Sequence, residues 1–182
     1  IGVRFRLPAS MNQVEYFGRG PAENYLDRNA GSMIGLYKST AEELYFPYVR
    51  PQENGHHTDT RWVSLSTGKK GLLIQADNTI GFNALRNSIE DFDDEEATGL
   101  PRQWSNFTPE QVANHDEAAA KSVLRRQHHI NDITPRDFVE VCVDLKQQGV
   151  AGYDSWGSRP EPAYTLPANR EYNWGFTLIP LK

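Results

Sequence analysis

The chain has 182 residues, a formal net charge of −5 and a hydrophobic fraction of 38%. A mildly acidic chain without a basic block is poorly suited to binding nucleic acid, because phosphate neutralisation supplies most of that affinity. The mean hydropathy is −0.65, and no apolar run approaches the ~18 residues of a membrane-spanning helix. The length falls below the roughly 200 residues of a small (β/α)₈ barrel, and the single cysteine, Cys142, excludes an intramolecular disulfide.

Alternating apolar and polar residues predict a mainly β chain. Strands are expected at 2–7, 13–17, 44–49, 60–66, 72–76, 138–145 and 171–179. A turn at 68–71 joins two of them into a hairpin, and Pro47 makes 44–49 an edge or irregular strand. The first residues already resemble a strand and the chain begins with Ile1, so we expect a piece of a longer protein.

Helix signals are confined to the middle of the chain. Thr108 precedes Pro109 and is followed three residues later by Gln111, a pattern typical of a helix start. Good helix formers follow at 118–126, so one or two surface helices are expected. Before them, six of the seven residues from 90 to 96 are acidic. We interpret 87–107 as an acidic insertion or loop, and favour a solvated loop over a cation site because EF-hand spacing is missing.

Residues with reactive side chains form no recognisable catalytic or metal-binding motif. The pairs His56-His57 and His128-His129 are adjacent in sequence, and neighbouring residues on a strand face opposite ways, so neither pair can chelate one metal from a single face. Cys142 lies in the middle of a predicted strand and is expected to pack. No catalytic residue and no metal ligand is therefore predicted in this chain.

The most informative loop is 152–157, Gly-Tyr-Asp-Ser-Trp-Gly, which follows the clearest predicted strand. Trp156 there either packs beneath the loop or offers its face to a sugar ring, with Asp154 and Ser155 as partners for hydroxyl groups. On the residues alone packing is favoured, because most tryptophans are largely buried.

Three blocks of sequence carry a family resemblance. They are Tyr-Phe-Gly-Arg-Gly-Pro-Ala-Glu-Asn-Tyr-Leu-Asp-Arg at 16–28, the segment 45–61 with Glu53-Asn54-Gly55 before Thr60-Arg61, and the Asp154-Ser155-Trp156 loop. In order and spacing they resemble the C-terminal small-chain domain of glycoside hydrolase family two β-galactosidases. The resemblance implies an all-β fold, an antiparallel β-sandwich of the galactose-mutarotase supersandwich type. Residues 1–182 would form a single domain, incomplete at its N-terminal side.

The same resemblance implies a role without chemistry of its own. The enzymes cleave terminal β-galactosides such as lactose with retention, which requires two carboxyl groups about 5–5.5 Å apart. In the family both carboxylates, and the sites for Mg and Na ions, lie on other domains, so no cofactor is expected in this chain. Trp156 would line the active-site pocket and stack on sugar at the leaving-group side. With the resemblance included, sugar contact is favoured over packing.

Further expectations concern partners. The implied partners are the remaining domains of the β-galactosidase, the β-galactoside substrate and further copies in a homo-oligomer, with no nucleic acid and no membrane. The motifs at 18–28 and 47–61 are interpreted mainly as turns that form the fold and its interfaces. A direct sugar contact from Glu53, Asn54 or His56 is a weaker alternative.

Two other functions stay open. One is an autonomous carbohydrate-binding module, since β-sandwiches with an exposed tryptophan often bind sugars. The other is a mutarotase-like epimerase, which needs a histidine paired with Glu or Asp inside a concave sheet face. The resemblance instead predicts that the isolated chain is catalytically inactive.

Overall fold

A computed structural model describes residues 1–49, 51–92, 130–154 and 157–182. Within them the chain forms one antiparallel sheet. Its strands are β1 (Gly2–Pro8), β2 (Gln13–Gly20), β3 (Met33–Thr40), β4 (His57–Ser66), β5 (Gly71–Leu85), β6 (Phe138–Asp144) and β7 (Phe176–Leu181). The strands lie in the order β1-β6-β5-β4-β2-β3, and β7 pairs with β5. The predicted all-β, antiparallel fold is confirmed, and the sheet is consistent with a β-sandwich.

The long strand β5 organises the sheet because it serves two neighbours along one edge. Its first residues, 71–76, pair with β7, whereas 81–85 pair with β6. Its other edge pairs with β4, where the register shifts between His57 and Trp62. Asp59 lies in this irregular stretch with a φ of 52°, a backbone angle that a β-bulge accommodates.

The core follows from the alternation that the sequence displays. In β6 the valines at 139, 141 and 143 are 0% exposed, as their period-two spacing predicts. Other core side chains, each at most 2% exposed, are Val14, Tyr16, Val63, Leu65, Ile74, Phe82 and Ala84. Burial of such side chains contributes about 1.5–3 kcal/mol each to folding.

The strand predicted at 44–49 is wrong. The amides of Leu44 and Tyr45 donate to the carbonyls of Thr40 and Glu42, forming a turn after β3. The next amide, that of Phe46, donates to Oδ1 of Asn54. Pro47 then has no N–H to offer, so the first four residues of the segment have no donor left for a strand ladder.

Several other strand boundaries differ from the expectation. The last strand begins at Phe176 rather than at 171, β4 begins at His57 rather than at 60, and β5 runs to Leu85 rather than ending at 76. The strand β3 has no counterpart among the predicted elements, although it runs for eight residues at the sheet edge beside β2. The predicted helices at 108–126 lie outside the described residues.

Backbone contacts divide the chain into two units. One comprises 1–46, 54–86 and 136–182 and contains the whole sheet. The other comprises 47–53 and 87–135. In its described part, Ser88 donates its N–H to Oδ2 of Asp91 at 2.9 Å, and Nδ2 of Asn87 donates to the carbonyl of Thr134 at 3.0 Å. The single-domain organisation stays a prediction. None of the described helical turns is long and apolar enough to cross a membrane.

Candidate functional site

The three predicted sugar-contacting residues are placed unequally by the structure. Ser155 and Trp156 lie outside the described residues, while Asp154 is exposed. The two arms that lead to them, 149–154 and 157–158, are described. The described geometry is that of these two arms and of the residues that bond to them.

The arm before Asp154 is held by a carboxylate from a distant part of the sequence. Asp27 accepts the N–H of Val150 on Oδ1 at 3.1 Å and the N–H of Ala151 on Oδ2 at 2.8 Å. The preceding residue, Gly149, donates its N–H to the carbonyl of Tyr164 at 2.8 Å. Three consecutive amides are thus paired outside any strand.

The arm after Trp156 closes the base of the loop. The hydroxyl oxygen of Ser158 accepts the N–H groups of Gly152 at 3.2 Å and Tyr153 at 3.1 Å. Gly152 and Gly157 have φ angles of 88° and 83°, a region that glycine adopts without strain. The glycines on both sides of the loop therefore let the chain turn sharply as it leaves and rejoins its base.

Asp27 itself lies at the tip of a tight turn. The N–H of Arg28 donates to the carbonyl of Tyr25 at 2.8 Å, which places Leu26 and Asp27 at the central positions of the turn. The Tyr25 side chain is 1% exposed and its ring stacks on that of His56, with centroids 5.7 Å apart. The turn is therefore fixed by a buried aromatic ring.

Asn24 joins the first and second sequence blocks. Its Oδ1 accepts both the N–H and the hydroxyl of Thr58, at 3.0 and 2.6 Å. Its Nδ2 donates to the carbonyls of Arg19 and Ala22, each at 3.1 Å. All of its side-chain hydrogen-bonding capacity is used in the interior, where it is 0% exposed. Asn24 thus joins the first block to the second, and Asp27 of the first block holds the arm 149–151 that precedes the third.

The Glu-Asn-Gly part of the second block serves the backbone. Glu23 of the first block accepts the N–H of Gly55 at 2.7 Å. Asn54 is 2% exposed, and its carbonyl accepts Nδ2 of Asn83 at 2.8 Å. Gly55 has a φ of 74°, and a Cβ there would lie 2.8 Å from the Leu85 side chain. These contacts favour a structural role for Asn54 over the weaker alternative of sugar contact.

His56 is buried and neutral. It is 1% exposed, and its Nδ1 lies 2.7 Å from Oδ1 of Asn83. Because Nδ2 of Asn83 donates to a carbonyl, Oδ1 is the end that faces the imidazole, so Nδ1 carries the proton. Burial lowers the pKa of His56 to about 4, since the charged form would lose its hydration.

His57 points into the core on the other side of the strand. Its ring stacks on Phe82 with centroids 5.0 Å apart and meets Tyr16 edge-on at 4.9 Å. Its two nitrogens lie against backbone carbonyls, those of Gly55 at 3.0 Å and Pro21 at 3.3 Å. Burial lowers its pKa as well. The second histidine pair, His128-His129, lies outside the described residues.

A small cleft opens beside His56. It is lined by His56, Leu26, Thr58, Gly81 and Leu145 among others, and its volume is about 40 Å³. A cleft of that size holds a few water molecules rather than a sugar ring. In the described part of the chain, no three side chains of His, Cys, Asp or Glu converge to hold a metal ion. The expectation that this chain binds no cofactor stays a prediction.

Asp27, which holds the arm before Asp154, is not among the residues that the sequence predicted for the site. Its partners are backbone amides more than 120 residues away, and backbone amides leave no mark in a sequence. The only available signal was its place in the 16–28 block, next to the buried Tyr25.

Comparison with known proteins places the chain among β-galactosidase small chains. Residues 1–178 match the family described as "Beta galactosidase small chain". A β-galactosidase of Priestia megaterium is 35% identical over 182 residues, covering 100% of this chain and 14% of the relative. A β-galactosidase of Vibrio cholerae is 28% identical over 178 residues, covering 98% of this chain and 14% of the relative.

A third relative matches only part of the sequence. This β-galactosidase from an Arthrobacter species is 40% identical over 97 residues, which is 50% of this chain and 10% of the relative. The Priestia and Vibrio relatives match nearly all of this chain, but the chain spans only 14% of each, about a seventh of their length.

Proposed function

The chain belongs to the β-galactosidase small-chain family, and on that premise we propose that it is the C-terminal, non-catalytic domain of a β-galactosidase. The enzyme would hydrolyse terminal β-D-galactosides of the lactose type with retention. The observation that carries the proposal is coverage: the match extends over 100% of this chain but only 14% of its Priestia relative. Most of such an enzyme, with ample length for a catalytic domain, lies outside the matched region.

Three carboxylates of the described residues support a non-catalytic role. Asp27, Glu23 and Glu140 accept backbone amides or ion-pair with arginines. A retaining glycosidase instead needs one carboxylate free to attack the sugar and one acid free to protonate the leaving group. Groups held by structural hydrogen bonds suit neither role.

Trp156 is the residue proposed to touch substrate. An indole face packs on the C–H face of a sugar ring, and Asp154 and Ser155 would bond the hydroxyl groups. The proposal is supported by the family membership and by the two arms of this loop, which lie outside the strands and are held by Asp27 and Ser158. Such a contact positions the leaving group without performing chemistry.

The test uses a β-galactosidase that carries this chain as its small-chain domain. Trp156→Ala is expected to raise KM for lactose by several-fold to about tenfold, leave kcat within about twofold, and weaken transfer to a glucose acceptor. Trp156→Phe should retain part of the effect because it keeps an aromatic face. Trp174→Ala is the matched control, since that ring packs on Phe176 at 5.4 Å. Unchanged kinetics in Trp156→Ala would remove the sugar contact.

The isolated chain separates this function from its alternatives. It should show no hydrolysis of a chromogenic β-galactoside, and turnover above background would contradict a non-catalytic domain. Galactose or lactose should bind in the millimolar range or not at all, whereas micromolar binding would indicate an autonomous module. Faster anomeric equilibration of galactose would indicate an epimerase, although the burial of His56 and His57, each 1% exposed, does not favour it.

We also propose that the domain contacts other domains and further copies in a homo-oligomer. The edge strand β3 supports this, because Met33, Ile34 and Leu36 are 71%, 44% and 58% exposed. Exposed apolar side chains on an unpaired strand edge are typical of interaction sites. Light scattering on the intact enzyme tests it: a monomer would contradict the oligomer, and Leu36→Lys should weaken whichever contact this edge makes.

A further inference from the structure

One pair of neighbouring residues in the second sequence block is chemically fragile. Asn54 is followed by Gly55, and this is the single Asn-Gly pair in the sequence. In such a pair the backbone nitrogen of glycine can attack Cγ of the asparagine side chain. A C–N bond forms, ammonia leaves, and water then opens the cyclic imide to aspartate or isoaspartate. Glycine favours the attack because it has no side chain and its backbone turns freely.

The fold requires both residues of this pair. Oδ1 of Asn54 accepts the N–H of Phe46 at 3.2 Å, and the Asn54 carbonyl accepts Nδ2 of Asn83 at 2.8 Å. Gly55 has a φ of 74°, and a Cβ there would lie 2.8 Å from the Leu85 side chain. A larger residue at position 55, which would slow the reaction, is therefore disfavoured by both its backbone angle and its neighbours.

A carboxylate occupies the direction along which the reaction would proceed. Oε2 of Glu23 accepts the N–H of Gly55 at 2.7 Å. In the cyclic imide, Cγ of Asn54 takes the place of the hydrogen on the glycine nitrogen, in the plane of the peptide. Cγ must therefore approach along the N–H direction, where the carboxylate oxygen already lies. The ring cannot close until this hydrogen bond breaks.

The carboxamide that would be attacked is held as well. Asn54 is 2% exposed, and its rotation toward Gly55 would break the hydrogen bond from Phe46. Nor does Glu23 promote the step, because a carboxylate is a far weaker base than the amide anion that must form. Its negative charge instead opposes loss of the proton from the neighbouring nitrogen.

We propose that Asn54 is a deamidation site that Glu23 protects: the hydrogen bond from Gly55 to Glu23 prevents imide formation while residues 54–56 keep their native position. The reaction begins only when local opening of this segment breaks that bond. Opening of the second sequence block is thereby recorded as a permanent chemical change at position 54.

Neither product fits the native arrangement. Isoaspartate lengthens the backbone by one carbon immediately before His56, whose carbonyl accepts the N–H of Asn24 at 2.7 Å. Aspartate places a second carboxylate at a 2% exposed position beside that of Glu23, and burial and like charge both oppose its ionisation. A deamidated segment therefore returns to the fold less stably than the original one.

The first experiment compares rates without any substitution. The intact enzyme is incubated at pH 8, and conversion of Asn54 is followed by mass spectrometry of the peptide that contains it. The same enzyme unfolded in guanidinium chloride gives the unprotected rate. The folded rate should be roughly a hundredfold lower or more, and the reduction should match the protection of the Gly55 amide against hydrogen exchange. Equal rates in the two states would overturn the proposal.

The second experiment changes the carboxylate. Glu23→Ala should accelerate conversion of Asn54 in the folded enzyme by about tenfold or more, since a hydrogen bond to a charged group is lost. Glu23→Gln keeps an acceptor oxygen and should stay within about threefold of the parent rate. Glu15→Ala removes a carboxylate that is 36% exposed in its pair with Lys38, and as the matched control it should leave the rate unchanged. An unchanged or lower rate in Glu23→Ala would overturn the proposal.

Hydrogen exchange separates local protection from general destabilisation. In Glu23→Ala the Gly55 amide should exchange about tenfold faster or more, whereas the amide of Val141 in the buried strand β6 should keep its protection. Should the whole sheet open in that variant, Glu23→Asp decides the matter. It keeps the charge, but its shorter stem draws the oxygen back from Gly55, so an unchanged deamidation rate there would overturn the proposal.

The last experiment tests the product. Asn54→Asp reproduces one of the two deamidation products and should unfold at a lower urea concentration than the parent chain at pH 8. The difference should shrink as the pH falls, because protonation of a buried carboxyl removes its charge. An unfolding midpoint equal to that of the parent at pH 8 would contradict the claim that opening leaves a lasting change in the fold.

Discussion

The imidazole of His56 donates its Nδ1 proton to Oδ1 of Asn83 at 2.7 Å, in an environment where the ring is 1% exposed. The orientation of Asn83 is fixed in turn by its Nδ2, which donates to the carbonyl of Asn54 at 2.8 Å. These two hydrogen bonds link His56 and Asn54 of the second sequence block through Asn83 of β5. They hold the histidine on which Tyr25 of the turn 25–28 is stacked.

The first prediction concerns acid stability. Burial lowers the pKa of His56 to about 4 in the folded chain, against about 6.5 in an unfolded chain. Between these values the unfolded state binds more protons, so stability rises with pH in that window and is lost as pH falls. We expect His56 to cost about 2 kcal/mol of the free energy of unfolding between pH 7.5 and pH 5.

Urea unfolding at the two pH values measures this loss, and His56→Gln should reduce the difference. His57 contributes in the same direction, because burial lowers its pKa too. The His56→Gln variant therefore retains part of the pH dependence of stability. If His56→Gln folds poorly, the imidazole can be titrated by NMR in the native chain. An imidazole pKa above 6 would contradict the buried neutral form.

The second prediction concerns the space beside that ring. A Cβ at Gly81 would lie 2.5 Å from both Cε1 and Nε2 of His56, so Gly81→Ala must displace the imidazole or the strand. Overpacking of this kind costs about 1–3 kcal/mol. Gly31→Ala is the matched control, since nothing lies within 4 Å of its Cβ position, and it should stay within about 0.5 kcal/mol of the parent chain. Equal unfolding midpoints for the two variants would contradict the packing described.

The strands that sequence patterns predicted well are those with one buried face. In β6, Val139, Val141 and Val143 are fully buried and alternate with Phe138, Glu140, Cys142 and Asp144. The strand β3 was missed because its apolar residues Ile34 and Leu36 lie on an exposed edge, where burial does not enforce a pattern. Conversely, 44–49 is apolar without being a strand, since its amides bond locally and to Asn54.

The candidate site was predictable only in part for a different reason. The loop with Trp156 and the 16–28 block could be recognised from their residues, but not the contact between them. That contact joins one side chain, Asp27, to backbone amides, whose availability depends on the turn geometry of Ala151 and not on its identity. Side chain-to-backbone bonds of long range have no compositional signature.

The third prediction concerns a buried carboxylate between two strands. Glu140 is 3% exposed and lies 2.9 Å from Nε of Arg6 and 3.5 Å from Nη1 of Arg4. Removing a partner from a buried charge is costly, but the exposure of Arg6, 53%, moderates the effect. We expect Arg6→Gln to cost about 1–2 kcal/mol and a double-mutant cycle with Glu140→Gln to give a coupling of about 1 kcal/mol.

The exposed pair Lys38–Glu15, at 3.3 Å with side chains 74% and 36% exposed, is the control for this cycle. Its coupling should be about 0–0.5 kcal/mol and should vanish in high salt. The Arg6–Glu140 coupling should persist in salt because one partner is buried. Couplings of the same size at both pairs would show that burial of Glu140 does not matter.

The fourth prediction tests whether Asn24 holds the first two blocks together. Asn24→Ala removes four hydrogen bonds in the interior, leaving the buried N–H of Thr58 without this acceptor. Unsatisfied buried polar groups cost about 1–3 kcal/mol each, so a loss of about 3 kcal/mol or more in the free energy of unfolding is expected. Asn29→Ala is the matched control, because the side chain of the half-buried Asn29 makes one hydrogen bond, to the hydroxyl of the same Thr58 at 3.2 Å.

The control should cost about 1 kcal/mol or less. Since the turn that presents Asp27 begins one residue after Asn24, Asn24→Ala should also accelerate hydrogen exchange at Val150 and Ala151, whereas Asn29→Ala should not. Urea unfolding and exchange on the same two variants check both expectations. If Asn24→Ala destabilised the chain but left those two amides protected, the turn would keep its position without Asn24, and the blocks would be joined by the stacking of Tyr25 on His56 instead.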